Sequence, residues 1–488
     1  MPIPLFRIKV REKGQIRDIR EIIARVDGLP SCLNGQIVDM GDGVQGIVMG
    51  FDHDSVLVLI LGDPARLRMG RDVASISEPF KIPVGEALLG RMVDALGRPC
   101  DGGEPVAAEE QAPAFRGSPP LTHRRPADGF LVTGSKMVDA LIPIAKGQRQ
   151  LLLGDRLTGK TVLGLDAIIS QRDRNCVCIY CCVGKSVSGL EKAVAMLHQN
   201  KALPYTVVVA ATDNAPVGEQ YMAPFSAASI GEFFAVRGRD VLVVFDDLTK
   251  HAWAYREVSL LLDRPPGREA YPGDIFYVQV QLMERAGRFN EQHGGGSMTF
   301  LGVAETLQGD LTGYIPSNLA SMCDGQIVFS TSVFAEGVRP AIDFGLSLSI
   351  IGGRVQPPIL RELASGLRAD YARYTEVLRL SRLSSGVSDE SRHTLDKGNT
   401  MMVLLQQAQN QPAGIGETAL LLYALDRELV MQLNPAQQKA FRKSIAGHAA
   451  QSDPGLLEEV EARGKLLPEL EKRMERVIQE CAAAAEEA

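Results

Sequence analysis

"GDRLTGKT", residues 154–161, decides how the middle of this chain is read. The pattern Gly-x-x-x-x-Gly-Lys-Thr suits a loop that wraps phosphates. Glycine lets successive backbone N–H groups turn inward around an anion. A lysine at the seventh place brings a point charge to the β- and γ-phosphates, and a hydroxyl at the eighth can ligate Mg²⁺. Gly154, Asp155, Arg156, Leu157, Thr158, Gly159, Lys160 and Thr161 are therefore the candidate phosphate cradle. The flanks agree. "QRQLLLG" before it is an apolar run of strand length, and "KTVLGLDAIISQ" after it has helical apolar spacing. The loop should thus join a strand to a helix N-terminus, where the helix dipole favours anions.

Such a loop needs a second acid beside the cation. "DVLVVFDDLTK" has five consecutive apolar residues, Val241 to Phe245, followed by Asp246 and Asp247. A continuous apolar run predicts a strand buried on both faces of a parallel sheet. Ligands bind at the carboxyl ends of such strands, which makes Asp246 the candidate acid and pairs it with Thr161 as the candidate Mg²⁺ ligands.

Outward from this centre, 488 residues allow two or three domains, and 45% hydrophobic residues can fill large cores. The 52 basic and 59 acidic side chains leave a net charge of −7, so no overall basic field draws nucleic acid. No apolar run reaches membrane-spanning length. The N-terminal segment lacks a signal-peptide core, and its acids Glu12 and Asp18 argue against a transit peptide. This predicts a cytosolic chain docked on a membrane complex. Eight cysteines are too few for a disulfide framework. Four fall in "CVCIYCCVG" (Cys176, Cys178, Cys181, Cys182). One strand points them to two opposite faces, so packing rather than metal binding is expected.

Residues 25–79 are short apolar runs cut by turn signals, the pattern of a small β-barrel. Alternating strands and helices follow to about residue 356, where "VQPPIL" sets a proline boundary. Helical patterning runs on from there, and the closing alanine-glutamate tail reads as a solvated helix end. The expected units are 1–79, 80–356 and 357–488.

The long runs "DDLTKHAWAYREVSLLLDRPPGREAYPGD", "GGGSMTF" and "YIPSNLASMCDGQI", collinear with "GDRLTGKT", resemble the alpha subunit of F-type rotary ATP synthases. The resemblance extends from about residue 20 to the end. It implies a multidomain α/β fold with an N-terminal β-barrel, a central RecA-like P-loop domain with a mostly parallel sheet, and a C-terminal helical domain. It also implies a non-catalytic ATP/ADP site with Mg²⁺, and an alternating hexamer with catalytic beta-type subunits. A central-stalk gamma subunit and a peripheral-stalk delta subunit are the further implied partners. The expected location is the cytoplasmic face of the bacterial inner membrane. The ion coupled, H⁺ or Na⁺, and the direction of the reaction are set outside this chain.

By the same resemblance, Phe334, Arg339, Pro340, Gln407 and Gln409 surround the adenine, and "PPGREAYP" (residues 265–272) forms a collar bearing on the rotor. Ser321 lies near the neighbouring catalytic site. In catalytic relatives a glutamate follows the strand after the P-loop helix, and alpha subunits usually carry glutamine there. This chain has Lys185, which cannot act as a base while protonated. Leu157 replaces a usual loop glutamine. The segment before the barrel is shorter than is usual, which puts the peripheral-stalk contact in question, although the basic run from Arg7 to Arg25 could dock an acidic partner. "GLSLSIIGG" carries Ile350 where the family presents an arginine finger to the adjacent site, and Arg354 follows four residues on. Two rival readings stand beside this one. An autonomous NTPase lacks a base. A hexameric RNA motor lacks a stacking surface, since residues 25–79 hold a single aromatic, Phe51.

Overall fold

A computed structural model of the chain describes residues 12–381 and 388–486. The first six strands are β1 (Lys13–Arg20), β2 (Ile23–Asp27), β3 (Gln36–Gly41), β4 (Val44–Phe51), β5 (Val56–Leu61) and β6 (Asp72–Pro79). They close a barrel in the order β1-β2-β5-β4-β3-β6, with β1 pairing to β6. Val26, Val38, Met40, Val48, Val58 and Ile60 fill its inside. Closure leaves little spare room: a Cβ on Gly46 would stand 2.3 Å from Val58 Cγ1.

The barrel begins earlier than the apolar pattern suggests. β1 is "KGQIRDIR", whose outward positions are charged and whose Ile16 alone is an apolar residue in full burial. Much of the basic run sits on these two strands in ion pairs within the chain. Arg25 reaches Asp263 at 3.2 Å and Arg17 reaches Asp27 at 3.9 Å. The part of that run at residues 7–11 lies outside the described residues.

The central sheet uses β7 (Met92–Asp94), β8 (Arg149–Gly154), β9 (Cys176–Val183), β10 (Thr206–Ala211), β11 (Asp240–Asp246), β12 (Ser297–Glu305), β13 (Gly325–Phe329) and β14 (Ile342–Ser349). Their order is β14-β13-β8-β12-β11-β9-β10-β7. All these pairings are parallel except β13 with β14. A parallel sheet must be covered on both faces, and the apolar runs are the sequence's record of that. β9 shows it directly. Cys176, Cys178 and Cys182 pack into one core layer and Cys181 into the other, all free and buried.

Among the helices that cover this sheet are α1 (Lys160–Ile169), α2 (Val187–Gln199), α3 (Val217–Ala235) and α4 (Leu248–Leu261). α3 is buried almost all round. Its start abuts the barrel, where a Cβ on Gly218 would lie 3.0 Å from the Ile60 carbonyl oxygen. Against it, Arg285 from a later segment is fully buried and donates to Glu232 (2.7 Å), Ser229 (2.7 Å) and the Ala114 and Phe225 carbonyls. A buried charge is tolerable only when so fully bonded.

After residue 357 the chain is helical. α5 (Asp389–Leu405), α6 (Ile415–Asp426), α7 (Pro435–Ser452) and α8 (Pro468–Glu486) are its long described members besides Leu367–Ser381. α6 is the buried axis and the others lay apolar stripes against it. The tail differs from the sequence reading. Cys481, Ala482 and Ala485 are buried, because alanine's small side chain lets α8 approach α7 closely. No described helix is long and apolar enough to cross a membrane.

Candidate functional site

β8 ends at Gly154 and α1 starts at Lys160, so the loop 155–159 crosses the carboxyl edge of the sheet. The glycines are required by contact and by conformation. A Cβ on Gly154 would meet the Phe329 carbonyl oxygen at 2.7 Å, and Gly159 has φ +107°. Leu157 also adopts a left-handed backbone, φ +63°, and is 92% exposed, so its side chain takes no part in holding the loop. Asp155 ties the loop down: its Oδ1 accepts from Thr306 Oγ1 at 2.6 Å and from the Gly309 N–H at 2.9 Å.

Lys160 lies folded over the loop and donates to the carbonyls of Gly154 (2.7 Å) and Asp155 (2.6 Å). Burial pushes this ammonium below its usual range, and the acids Glu305, Asp247 and Asp246 pull it back in part. The loop borders a cavity of about 750 Å³. Arg156, Thr158, Thr161 and Asp246 line it at the loop end.

At the other end stand Phe334, Arg339, Pro340, Gln407 and Gln409. The Arg339 guanidinium lies 3.4 Å from the Phe334 ring centroid and donates to the Phe334 carbonyl at 2.7 Å. This makes a flat, rigid wall suited to an aromatic base. Gln407 acts as a latch. Its Oε1 accepts from the Lys136 N–H at 3.0 Å, and its Nε2 donates to the Gly134 and Gln411 carbonyls, each at 2.6 Å. It thereby fixes the helical part of the chain to the P-loop part, while Gln409 stays exposed at the rim.

The acids of the cavity are each accounted for by geometry. Asp246 is fully buried, and its Oδ2 accepts from Tyr180 Oη at 2.9 Å and Lys185 Nζ at 2.5 Å. Lys185 Nζ donates as well to Thr161 Oγ1 at 2.6 Å. Asp247 caps α4 by accepting the Lys250 N–H at 2.7 Å, and burial plus the charge of Asp246 push its carboxyl up to about 7. Three further acids were missed in the sequence. Asp166, on α1, accepts the Asn410 N–H at 3.0 Å. Glu305 ends β12 and accepts from Arg156 Nε at 2.9 Å. Asp213 is exposed at the rim, and its N–H donates to the Lys185 carbonyl at 2.9 Å. Glu305's place at a strand's carboxyl end was a usable signal; Asp213, in a loop, gave none.

The donor set does not fit a resident Mg²⁺ as it stands. The two side chains expected to hold it, Thr161 and Asp246, are both bonded to one ammonium. Only Asp246 Oδ1 is left without a hydrogen-bonding partner.

Ser321 and Ile350 lie outside this cavity. Ser321 is exposed on the helix Tyr314–Met322 and donates to the Asn318 carbonyl at 2.7 Å. Ile350 follows β14 directly and is 68% exposed. Residues 265–270 form an exposed loop, pinned where the Gly267 N–H donates to the Tyr271 carbonyl at 2.8 Å.

Residues 134–349 match the ATP synthase alpha/beta family, nucleotide-binding domain. Residues 9–75 match that family's beta-barrel domain and residues 356–481 its C-terminal domain. The chain belongs to the ATP synthase alpha/beta family. It is 42% identical over 460 residues to ATP synthase subunit alpha 2 of Nitrosospira multiformis, covering 94% of this chain and 90% of that one. It is 45% identical over 419 residues to ATP synthase subunit alpha 2 of Syntrophotalea carbinolica, covering 86% and 80%. To ATP synthase subunit alpha of Nitrosomonas europaea it is 39% identical over 481 residues, covering 96% and 94%. The barrel, the nucleotide-binding layer with its mostly parallel sheet and the helical C-terminal part are the family's layout. As a family member of the alpha type, the chain is a nucleotide-binding component of an ATPase enzyme complex.

Proposed function

We propose that this chain is a non-catalytic, regulatory subunit that holds ATP or ADP and leaves turnover to a partner. The observation that carries the reading is Lys185. It stands at the turn after β9, lines the cavity beside Lys160 and Thr161, and presents an ammonium where hydrolysis needs a carboxylate to activate water. Glu305, the nearest alternative by its place at a strand end, is engaged by Arg156.

The nucleotide contacts proposed are the loop from Gly154 to Thr161 for the phosphates and Phe334, Arg339, Pro340 and Gln409 for the base, with Gln407 as the latch behind them. Partners are catalytic beta-type subunits alternating with this chain, around a gamma-type stalk, in a complex that couples ATP chemistry to H⁺ or Na⁺ movement at the cytoplasmic face of the inner membrane. The exposed collar at 265–270 and the exposed Ser321 and Ile350, all outside the lining of the chain's own cavity, support such neighbours.

The test is ATP binding by calorimetry and phosphate release, both on the purified full chain. Binding with negligible turnover is expected. Lys160→Ala should weaken binding by about 100-fold, since a charge-assisted contact to phosphate contributes roughly 2–3 kcal/mol. Sustained multi-turnover hydrolysis that disappears in Lys160→Ala refutes the reading.

A further inference from the structure

Thr161 Oγ1 and Asp246 Oδ2 come from different parts of the chain, the first turn of α1 and the end of β11. A hydroxyl and a carboxylate so placed are the pair that a P-loop uses for its divalent cation. Here Lys185 Nζ lies 2.6 Å from one and 2.5 Å from the other. An ammonium has three donors and no acceptor. Two are used by these oxygens, and the third remains for a phosphate oxygen in the cavity that Lys185 also lines.

The lysine is held there by its backbone. Gly184 turns the chain with φ +61°, and a Cβ on it would lie 2.8 Å from Lys250 Cβ. The Lys185 carbonyl accepts the Asp213 N–H. Its partner is equally fixed, since Asp246 is fully buried and also accepts the Tyr180 hydroxyl. Charge works in the same direction. With Lys160 and Lys185 both on the cavity, a divalent cation at Thr161 would meet an ammonium within bonding range of the same oxygens. Like charges at that spacing repel by several kcal/mol in a partly buried site.

We propose that Lys185 is a tethered cation that takes the place of Mg²⁺, so that this site binds the nucleotide as the metal-free polyphosphate. The inference rests on the nucleotide-holding reading above and narrows it to the form of the ligand.

The experiment measures ATP binding to the full chain by calorimetry in EDTA and in Mg²⁺, for wild type and Lys185→Gln. For wild type, Kd in excess Mg²⁺ should be at least about tenfold weaker than in EDTA, because Mg²⁺ competes for the free polyphosphate. For Lys185→Gln, Kd in EDTA should be at least about tenfold weaker than in Mg²⁺, because an amide carries no charge to the phosphates. Mn²⁺ spin resonance with stoichiometric ATP gives a readout of the metal itself. Wild type should draw ATP away from Mn²⁺ and raise the free aquo-Mn²⁺ signal, and Lys185→Gln should yield one protein-bound Mn²⁺ per chain. Wild-type binding as tight in Mg²⁺ as in EDTA or tighter, or a protein-bound Mn²⁺ in wild type, overturns the tethered cation and leaves the holding site standing. The same weakening by Mg²⁺ in both proteins overturns the role of Lys185. Absence of ATP binding by wild type under every condition overturns the holding reading and this one with it.

Discussion

Replacing Ile350 by arginine tests what the loop after β14 does in the assembled complex. The perturbation is clean in this chain. Ile350 is 68% exposed, so the change should alter folding stability by no more than about 0.5 kcal/mol. Its backbone is held, since the Ile350 N–H donates to the Asp324 carbonyl at 3.0 Å. Two residues on, a Cβ at Gly352 would lie 1.6 Å from the Pro143 carbonyl oxygen, so the loop is pressed against its own chain and cannot slide to bring another residue into the place of Ile350. Arg354 lies beyond that contact in a short turn, Gly352–Arg354, with its N–H bonded to the Ile351 carbonyl.

A side chain at 350 therefore projects from a fixed point toward whatever subunit packs on that edge. An arginine supplied to a phosphoryl-transfer site raises the rate by roughly 10³ to 10⁵, equivalent to about 4–7 kcal/mol of barrier. The neighbouring groups have not been fitted to an arginine here, so Ile350→Arg should return the lower end of that range, about three orders of magnitude in kcat. KM should change no more than about threefold, because the charge it neutralises develops in the transition state. The assay is steady-state ATP hydrolysis by the complex reassembled from this chain and its catalytic partners, with Arg354→Ala as control. Loss of activity in Arg354→Ala together with no gain in Ile350→Arg would show that the finger is Arg354 and that the place assigned to Ile350 is wrong.

Two more outcomes are expected. Alone, the chain should run as a monomer or ill-defined oligomer on gel filtration with light scattering, and form rings only when a beta-type partner is added; a stable homohexamer contradicts the proposed assembly. Burial pushes the Asp139 carboxyl up to about 7 against the pull of hydrogen bonds from Thr133 and Gly134, so the folded state takes up a proton that the unfolded state does not hold between about 4 and 7. Its contribution to stability is therefore lost as pH rises through that window, by at most about 1.4 kcal/mol per pH unit, and the melting temperature of Asp139→Asn should fall less steeply with pH there, whatever its absolute level; parallel curves refute the assignment.

How far the sequence could carry these conclusions depended on the distance over which each feature is built. The cradle was legible because Gly154, Gly159, Lys160 and Thr161 lie within eight residues and their types follow from backbone geometry and charge. Asp246 was legible because a both-faces-buried strand writes a continuous apolar run. The far wall was not legible from physics. Phe334 and Gln409 share one cavity only after the helical part folds back on the sheet, and resemblance alone placed them. β1 escaped the pattern because its exposed face is charged. Lys185 was legible as a missing base but not as a bonded ammonium, since its partners stand 24 and 61 residues away. That last gap matters for the proposed reading. A lysine that merely lacked basicity would leave the cation and the nucleotide otherwise ordinary. A lysine that grips the cation's two ligands changes what the site binds. A chain that holds the metal-free nucleotide and also offers no arginine at 350 would have parted with both charges that phosphoryl transfer draws on, one for its own site and one for its neighbour's. Binding, which by this reading draws on Lys160, the loop amides and the Lys185 ammonium in the cation's place, is the function such a chain keeps.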